Sequence, residues 1–412
     1  MDSARTAWQA AAVRKIDSIP VWAFVAAGWG AAFLPLRLAG RGGLWPPALP
    51  AQPAGVDLAM MLDYARAWLE TGNPFLGMNP YPPLAAVLFA PLAALPFALA
   101  RGIVAALTLA AFVSVVAVLP PLAFPRADRA AVLLAALGGA LSYGLWFELR
   151  WGQFNVLALA ATAWGLFLFH RGRGRGARWA AYGLFAAGIQ LKLYPAICVF
   201  LFARDARAWR ENLRRWAGLG AANVALLFAL GPHVFADFLH ALRAQAEAPY
   251  VWAGNHSIQS FAVWSGRPET APVLFAAFAA CLAAALGRAA RRPGRAAFMD
   301  LALACALGTM LLPGVSHDYK LVALPLAFAP FVAAAEPLAA RGVRGGLAAG
   351  AFLALCGLEA WTLFSLAAKP TGLQNSAPFL LAACGLLAFR PRPRQASPSG
   401  HVLRGESATD GN

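Results

Sequence analysis

Long apolar runs alternate with short polar loops along almost the whole chain of 412 residues. Most of these runs are about 17 to 22 residues long, the length at which an α-helix crosses the hydrocarbon core of a membrane. The pattern therefore predicts an all-α integral membrane protein, a polytopic bundle of about 12 transmembrane helices. The predicted spans cover residues 19–39, 102–124, 130–147, 154–170, 178–190, 191–203, 216–231, 271–286, 297–312, 321–335, 347–367 and 377–389.

The segment between the first two predicted spans, residues 40–100, has a different pattern and is predicted to form the first outer loop. Asp57 can cap a helix over about 58–70 that Gly72 ends, with an apolar face suited to lying on a membrane surface. That face comprises Leu58, Met61, Leu62, Ala65, Trp68 and Leu69. Residues 81–100 are apolar but interrupted by four prolines, so we expect a re-entrant or surface-lying helix there.

Positive charge is concentrated in short loops between the predicted spans. The net charge of +16 could indicate a nucleic-acid partner, but basic loops of this kind set membrane topology instead. With these loops inside, both termini are cytoplasmic and every unusual polar cluster falls outside. The inner loops include residues 126–129, 171–175, 204–215, 288–295 and 341–344, and the outer clusters include Asp57, Trp151-Gly152-Gln153, Lys192, Asn255-His256-Ser257 and His317-Asp318.

Composition supports a single membrane domain without a metal or nucleotide. Hydrophobic residues make up 60% of the chain and charged residues 13%, well below the charged fraction of about 25% in soluble domains. We expect residues 1–389 to form one domain and residues 390–412, rich in Pro, Ser and Gly, to be a disordered cytoplasmic tail. The five cysteines lie in apolar runs and are predicted to be buried. HExxH, Walker and GxGxxG patterns are absent, which argues against a protease, an NTPase or a dehydrogenase.

Asp57 is the candidate general base, since it opens an outer helix in a chain with few acids. A simple helix-capping role is the alternative. Asp63 lies six positions later, about 240° round a helix, so the two acids do not share a face. A hydrolase with paired carboxylates is therefore disfavoured.

Cations near the outer surface are candidates for binding a phosphate. Lys192 lies in the middle of an apolar hairpin, where snorkelling to the surface is the alternative explanation. A lipid phosphate is the anion expected at that depth, and Arg150 could assist. The cluster from His317 to Lys320 is also a functional candidate, with an interfacial polar belt as the alternative.

Two clusters carry amides and aromatic rings suited to a sugar. They are Trp151-Gly152-Gln153-Phe154-Asn155 and Asn255-His256-Ser257. Amides bind sugar hydroxyls, and aromatic rings stack on sugar rings, but helix capping explains each cluster equally well.

The order of several short motifs resembles glycosyltransferase family 87. They are Asp57 with Gly72, Tyr81-Pro82-Pro83-Leu84, Trp151-Gly152-Gln153-Phe154-Asn155, Lys192-Leu193-Tyr194-Pro195, Gly254-Asn255-His256-Ser257 and Ser316-His317-Asp318-Tyr319. The resemblance implies the membrane GT-C fold and an activity like that of the polyprenyl-phosphate-mannose-dependent mannosyltransferases of bacterial envelopes. It also implies that Asp57 is the base and that Lys192 and His317 lie near the donor phosphate or the sugar. The family often has Gln in place of His256, and several members have a second His in place of Asp318.

We therefore expect a multi-pass glycosyltransferase of the bacterial inner membrane, with its site on the periplasmic side. It would transfer a hexose, mannose by default, from a polyprenyl-phosphate donor to a lipid or glycan hydroxyl, without a cofactor, a metal or nucleic acid. The expected donor-binding residues are Lys192, His317, Asn255, His256, Gln153, Tyr81, Lys320 and Arg150. A transporter or lipid flippase is the alternative, and a non-catalytic scaffold is a further one.

Overall fold

The computed structural model describes residues 54–75, 81–248, 251, 254–291, 294–334 and 376–388, together with residues 23 and 26. Every regular element in these ranges is helical, which confirms the predicted all-α class. The α-helices are α1 (Val56–Thr71), α2 (Pro83–Ala93), α3 (Phe97–Val113), α4 (Leu119–Ala123), α5 (Arg129–Ala140), α6 (Tyr143–Trp151), α7 (Asn155–Arg171), α8 (Gly174–Leu191), α9 (Trp209–Leu227), α10 (Pro232–Glu247), α11 (Ile258–Trp264), α12 (Ala271–Arg291), α13 (Arg295–Leu311), α14 (Ala323–Ala334) and α15 (Ala377–Ala388). A π-helical turn, Ser114–Val118, joins α3 to α4, and 3₁₀ helices cover Tyr194–Leu201, Pro268–Thr270 and Asp318–Val322.

Two helical stretches in the described part of the chain are long and apolar enough to cross a membrane. They are Phe97–Ala123, with 27 residues, and Pro268–Arg291, with 24 residues. The pairs α5–α6 and α9–α10 also qualify, although they bend by 45° and 103°. The protein is thus a helical membrane protein, and the total of about 12 spans stays a prediction. The predicted spans 19–39, apart from residues 23 and 26, and 347–367, and the tail 390–412, lie outside the described residues.

Three predicted segments are wrong in detail. The predicted span 191–203 is mostly the 3₁₀ helix Tyr194–Leu201, because α8 ends at Leu191 and Lys192 is extended. The predicted span 130–147 is two helices, since Ser142 begins α6 by accepting a hydrogen bond from the Leu145 N–H. Residues 233–269, between the predicted spans 216–231 and 271–286, were predicted to be an outer loop. They contain the helix α11 and nearly all of α10, which that prediction missed.

The proline-rich segment breaks where the sequence predicts a break. Pro83 is the first residue of α2, where its missing N–H is not needed, and Pro96 immediately precedes α3. Pro91 lies inside α2. Because the break falls at residues 94–96, α3 begins at Phe97, five positions before the predicted start of that span.

Helix α1 packs on α2 through most of the predicted apolar face. Leu58, Met61 and Leu62 are fully buried, but Leu69 is 58% exposed.

The residue before helix α1 is Gly55, in the left-handed conformation, and Asp57 makes no capping hydrogen bond. Asp57 therefore lies within the first turn, and the capping explanation for it is wrong.

Helices α7 and α8 approach closely because glycines face the contact. A Cβ atom on Gly188 would lie 2.7 Å from the Ala158 carbonyl oxygen and 2.7 Å from Thr162 Oγ1. A Cβ atom on Gly165 would lie 2.9 Å from the Ala181 carbonyl oxygen. Small residues that let helix backbones approach are typical of helix pairs in membranes. This contact fixes the end of α8, and with it Lys192, relative to the start of α7.

We predict that Gly188→Ala lowers the thermal unfolding temperature of the detergent-purified protein, because the added methyl group collides with the α7 backbone. Gly183→Ala is the matched control, since nothing lies within 4 Å of a Cβ atom there. That variant should unfold at or above the wild-type temperature, because alanine favours helix more than glycine does. Equal unfolding temperatures for the two variants would contradict close packing of α7 on α8.

Candidate active site

A glycine turn between α6 and α7 brings α1 onto the end of α6. Gly152 has a φ of +68°, and a Cβ atom there would lie 2.8 Å from Leu58 Cβ. The Gly55 N–H donates to the Arg150 carbonyl oxygen over 2.8 Å. These two contacts set the start of α1 beside the residues that follow Gly152. Gln153 and Asp57 are thereby neighbours, although 96 positions separate them.

The Gln153 side-chain amide joins Asp57 to Lys192. Its Nε2 donates to Asp57 Oδ2 over 2.5 Å, and its Oε1 accepts from Lys192 Nζ over 2.8 Å. Both ends of the amide are used, so its orientation is fixed. Asp57 and Lys192, the candidate base and the candidate phosphate-binding residue, are thus joined by one neutral side chain.

Aromatic rings surround the Lys192 ammonium group. Nζ lies 4.2 Å from the Tyr81 ring centroid, 4.3 Å from Phe154 and 5.9 Å from Tyr319. Such faces attract a cation through their quadrupole. Lys192 is only 7% exposed and its ammonium group meets Gln153, so the geometry argues against snorkelling to the membrane surface.

One cavity of about 1200 Å³ collects most of the predicted site residues. Its polar end is lined by Asp57, Tyr81, Gln153, Lys192, His317 and Lys320. Much of its apolar lining comes from two elements, the 3₁₀ helix Tyr194–Leu201 and α12. The side chains in and next to these elements are Leu193, Ala196, Ile197, Phe200, Phe275, Phe278, Ala279 and Leu282.

Burial and neighbouring charges shift the pKa values of Asp57 and His317 at the polar end. Burial raises the pKa of Asp57 above its usual value, while the hydrogen bond from Gln153 and the charge of Lys192 partly offset that rise. Burial, Lys320 and the histidine at position 256 lower the pKa of His317 to about 3. His317 is therefore neutral near pH 7 and offers a hydrogen bond rather than a charge.

Lys320 lines the same cavity as a second buried lysine. Its Nζ donates to the Val315 carbonyl oxygen and lies 4.6 Å from the Tyr194 ring centroid. The side chain is 6% exposed. The polar end thus contains two buried lysines, Lys192 and Lys320, near one hydrogen-bonded aspartate.

Asn255 does not line the cavity but holds the loop that carries His317. Its Oδ1 accepts from the Ser316 N–H over 2.8 Å, and its Nδ2 donates to the Gly314 carbonyl oxygen over 3.1 Å. The backbones of Asn255 and His317 also form an isolated antiparallel bridge. The geometry gives Asn255 a supporting position rather than a sugar-facing one.

His256 also lies behind the cavity. Its Nε2 is 2.8 Å from Asp318 Oδ1, and its Nδ1 is 2.7 Å from Ser376 Oγ. The other carboxylate oxygen of Asp318 accepts from the Tyr143 hydroxyl over 3.1 Å. His256 and Asp318 thus form one buried contact. Arg150, the last predicted site residue, is absent from the cavity wall and contributes its carbonyl oxygen to Gly55.

Sequence reasoning missed Glu148, which is fully buried on α6 beside the site. Its Oε2 accepts from Asn155 Nδ2 over 2.7 Å, and its Oε1 accepts from the Val156 N–H over 2.9 Å. Asn155 Oδ1 in turn accepts from the Tyr194 hydroxyl over 2.8 Å. The available signal was an acid in the last turn of an apolar helix, four residues before Gly152.

These features define a class: a membrane protein with an amphipathic cavity whose polar lining includes a carboxylate and two buried lysines. A family model described as glycosyltransferase family 87 matches residues 79–313. Because the match covers more than half of the chain, the protein belongs to glycosyltransferase family 87 and is a membrane glycosyltransferase. Gln153 and Lys192 fall inside the matched residues, whereas Asp57 and His317 fall outside. No curated protein and no solved structure matches the chain.

We predict that Asn255→Ala destabilises the protein by about 1 to 3 kcal/mol, because the buried Ser316 N–H loses its acceptor. Guanidinium or thermal unfolding in detergent would measure the loss. Asn73→Ala is the matched control, since the Asn73 side chain makes an exposed hydrogen bond to Asp237. If both variants lost the same stability, Asn255 would not be the residue that holds the His317 loop.

Proposed function

We propose that this glycosyltransferase moves a hexose, mannose by default, from a polyprenyl-phosphate donor to a hydroxyl of a lipid or glycan acceptor. The observation that carries the proposal is that the cavity lined by Asp57 and Lys192 also has an extensive apolar lining. A donor with a charged phosphate on a long hydrocarbon chain has the same two parts. Each buried CH₂ of such a chain would contribute about 0.8 kcal/mol to binding.

Asp57 would act as the general base. As the acceptor hydroxyl oxygen bonds to the anomeric carbon, its proton passes to the Asp57 carboxylate. The bond between the anomeric carbon and the phosphate oxygen breaks, and its electron pair leaves with the polyprenyl phosphate. Burial supports this role because it raises the pKa of Asp57 and so makes the carboxylate a stronger base.

Lys192 and Lys320 would stabilise the negative charge that develops on the leaving phosphate. Both ammonium groups are buried at the polar end of the cavity, where low dielectric strengthens their attraction to an anion. His317, being neutral, would donate or accept a hydrogen bond with the phosphate or the sugar. Tyr81, as a wall of the cavity, would pack beside the donor.

The periplasmic location is proposed from the charge pattern. Helix α7 begins at Asn155 near the cavity and ends at Arg171, about 25 Å away at 1.5 Å per residue. Arg171 contacts the carbonyl of Ala123, and Arg295 stacks 5.2 Å from the Phe124 ring. This end of the bundle is basic, as expected of the cytoplasmic side of a bacterial inner membrane, so the cavity would open on the other side.

We further propose that residues 1–389 form one membrane domain of the GT-C type. A transporter or flippase of envelope precursors is not favoured, because the chain belongs to a glycosyltransferase family. Transporters also hold their ligands near the middle of the membrane between repeated halves. The polar groups here gather instead at one end of α7 and α8.

We predict that Asp57→Asn lowers sugar transfer by about 100-fold to 10,000-fold, because an amide cannot take the acceptor proton. The assay would use purified protein in lipid nanodiscs with a synthetic, radiolabelled polyprenyl-phosphate hexose. Asp63→Asn is the matched control on the same helix, since Asp63 pairs with Arg66 at the surface. If the Asp57→Asn variant transferred sugar at the wild-type rate, Asp57 would not be the general base.

We also predict that Lys192→Met moves the acid limb of the pH–rate profile to higher pH. The positive charge of Lys192 favours the Asp57 carboxylate, so its removal raises the pKa of Asp57. Lys320→Met should lower the rate and move that limb less, because Lys320 Nζ binds the Val315 carbonyl oxygen and not the amide that holds Asp57. An acid limb left unchanged by Lys192→Met would show that the limb does not report Asp57.

A further inference from the structure

Glu148 is a charged residue with no role in the proposed transfer. It is 0% exposed and lies in α6, four residues before the turn that presents Gln153. A buried carboxylate is unfavourable unless it is paired with a cation or well hydrogen-bonded. Glu148 Oε2 accepts from the Asn155 side chain, Oε1 accepts from the Val156 N–H, and the Asn155 N–H also hydrogen-bonds to the carboxylate. All of these donors are neutral, so the question is which positive charge compensates Glu148.

Lys192 is the cation that acts on Glu148. Through space, the positive charge of Lys192 favours the carboxylate form of Glu148, and the carboxylate of Glu148 favours the ammonium form of Lys192. A chain of side chains also connects them. Asn155 Nδ2, bound to Glu148, approaches within 3.5 Å of Gln153 Oε1, the atom that accepts from Lys192. With Glu148 included, the polar end contains two carboxylates and two lysines.

We propose that Glu148 is a positioning residue for the transfer reaction. It supplies the counter-charge that keeps Lys192 cationic in a buried site, and through Asn155 it fixes the turn that presents Gln153 to Asp57. The inference rests on the proposed function, because it assigns Glu148 to the phosphate-binding role of Lys192.

A purely structural role predicts something different. Glu148 Oε1 accepts from the Val156 N–H at the start of α7, and any acceptor of similar size could fill that helix-capping position. The second oxygen binds Asn155, whose Oδ1 accepts from the Tyr194 hydroxyl. The network therefore joins α6, α7 and the 3₁₀ helix around a negative charge, and Lys192 lies in the link between α8 and that 3₁₀ helix.

Glu148→Gln separates the two roles. Glutamine retains the size of the side chain and an acceptor for the Val156 N–H, but it carries no charge. We expect donor-dependent transfer, measured as kcat/KM, to fall by about tenfold or more. We also expect the alkaline limb of the pH–rate profile to move to lower pH, because a buried lysine without its counter-charge loses its proton more readily. The other titratable groups that face Glu148 and Lys192 in the described residues are Asp57, Tyr81, Tyr194, His317, Tyr319 and Lys320.

The pairing itself is tested by a double-mutant cycle with Lys192→Met. If Glu148 acts through Lys192, adding Glu148→Gln to Lys192→Met should reduce transfer little further, since coupled residues are non-additive. Asp300→Asn is the matched control, because Asp300 is a 3% exposed carboxylate on α13, where it faces Arg288. The fold-loss of transfer caused by Asp300→Asn should multiply with the fold-loss caused by Lys192→Met, as expected for independent sites. Wild-type transfer and pH profile in Glu148→Gln, or multiplicative losses with Lys192→Met, would overturn the inference.

Thermal unfolding supplies a readout that does not require activity. Each single variant leaves one buried charge without its partner and should lower the unfolding temperature. The double variant should lose less than the sum of the two. If the wild type transfers no sugar from the synthetic donor, the proposed function fails, while this stability cycle still tests the pairing. If the wild type is active but the stability losses add, the pairing fails alone.

Discussion

The amide of Gln153, bound at one end to Asp57 and at the other to Lys192, is the contact on which the site depends. It couples a residue of α1 to the end of α8 through the turn after α6. Without it, a buried aspartate and a buried lysine would each need another partner in a low-dielectric environment. Burial raises the pKa of Asp57, and the hydrogen bond from Gln153 partly offsets that rise. The contact with Gln153 therefore stabilises the charged form of Asp57 in a buried position.

Backbone geometry makes that contact possible. Gly152 allows α1 to approach α6, and Gly55 begins α1 in a conformation that glycine adopts without strain. The close α7–α8 packing then fixes the distance between Gln153 and Lys192. Asn255 holds the loop of His317, which completes the wall of the same cavity. Residues far apart in the chain meet because helix ends, not helix middles, carry the polar groups.

Much of this arrangement could be predicted from charge and hydropathy. The predicted topology, with the basic loops on one side, groups Asp57, Gln153, Lys192 and His317 on the other, and these four residues do line one cavity. Asn255 and His256 share that side, but sequence cannot distinguish a cavity wall from the residue behind it. Glu148 was missed because burial, not spacing, makes it unusual. The apolar face of α1 was predicted to lie on a membrane surface, because a periodic pattern does not reveal that α2 packs on part of that face.

The position of the phosphate tests the central claim most directly. A structure of the protein bound to a polyprenyl phosphate, determined in lipid nanodiscs, would locate it. We expect the phosphate against Lys192 Nζ, on the Asp57 side of the cavity, with the hydrocarbon chain between the 3₁₀ helix Tyr194–Leu201 and α12. A phosphate bound instead at the basic end of the bundle, beside Arg171 and Arg295, would contradict it.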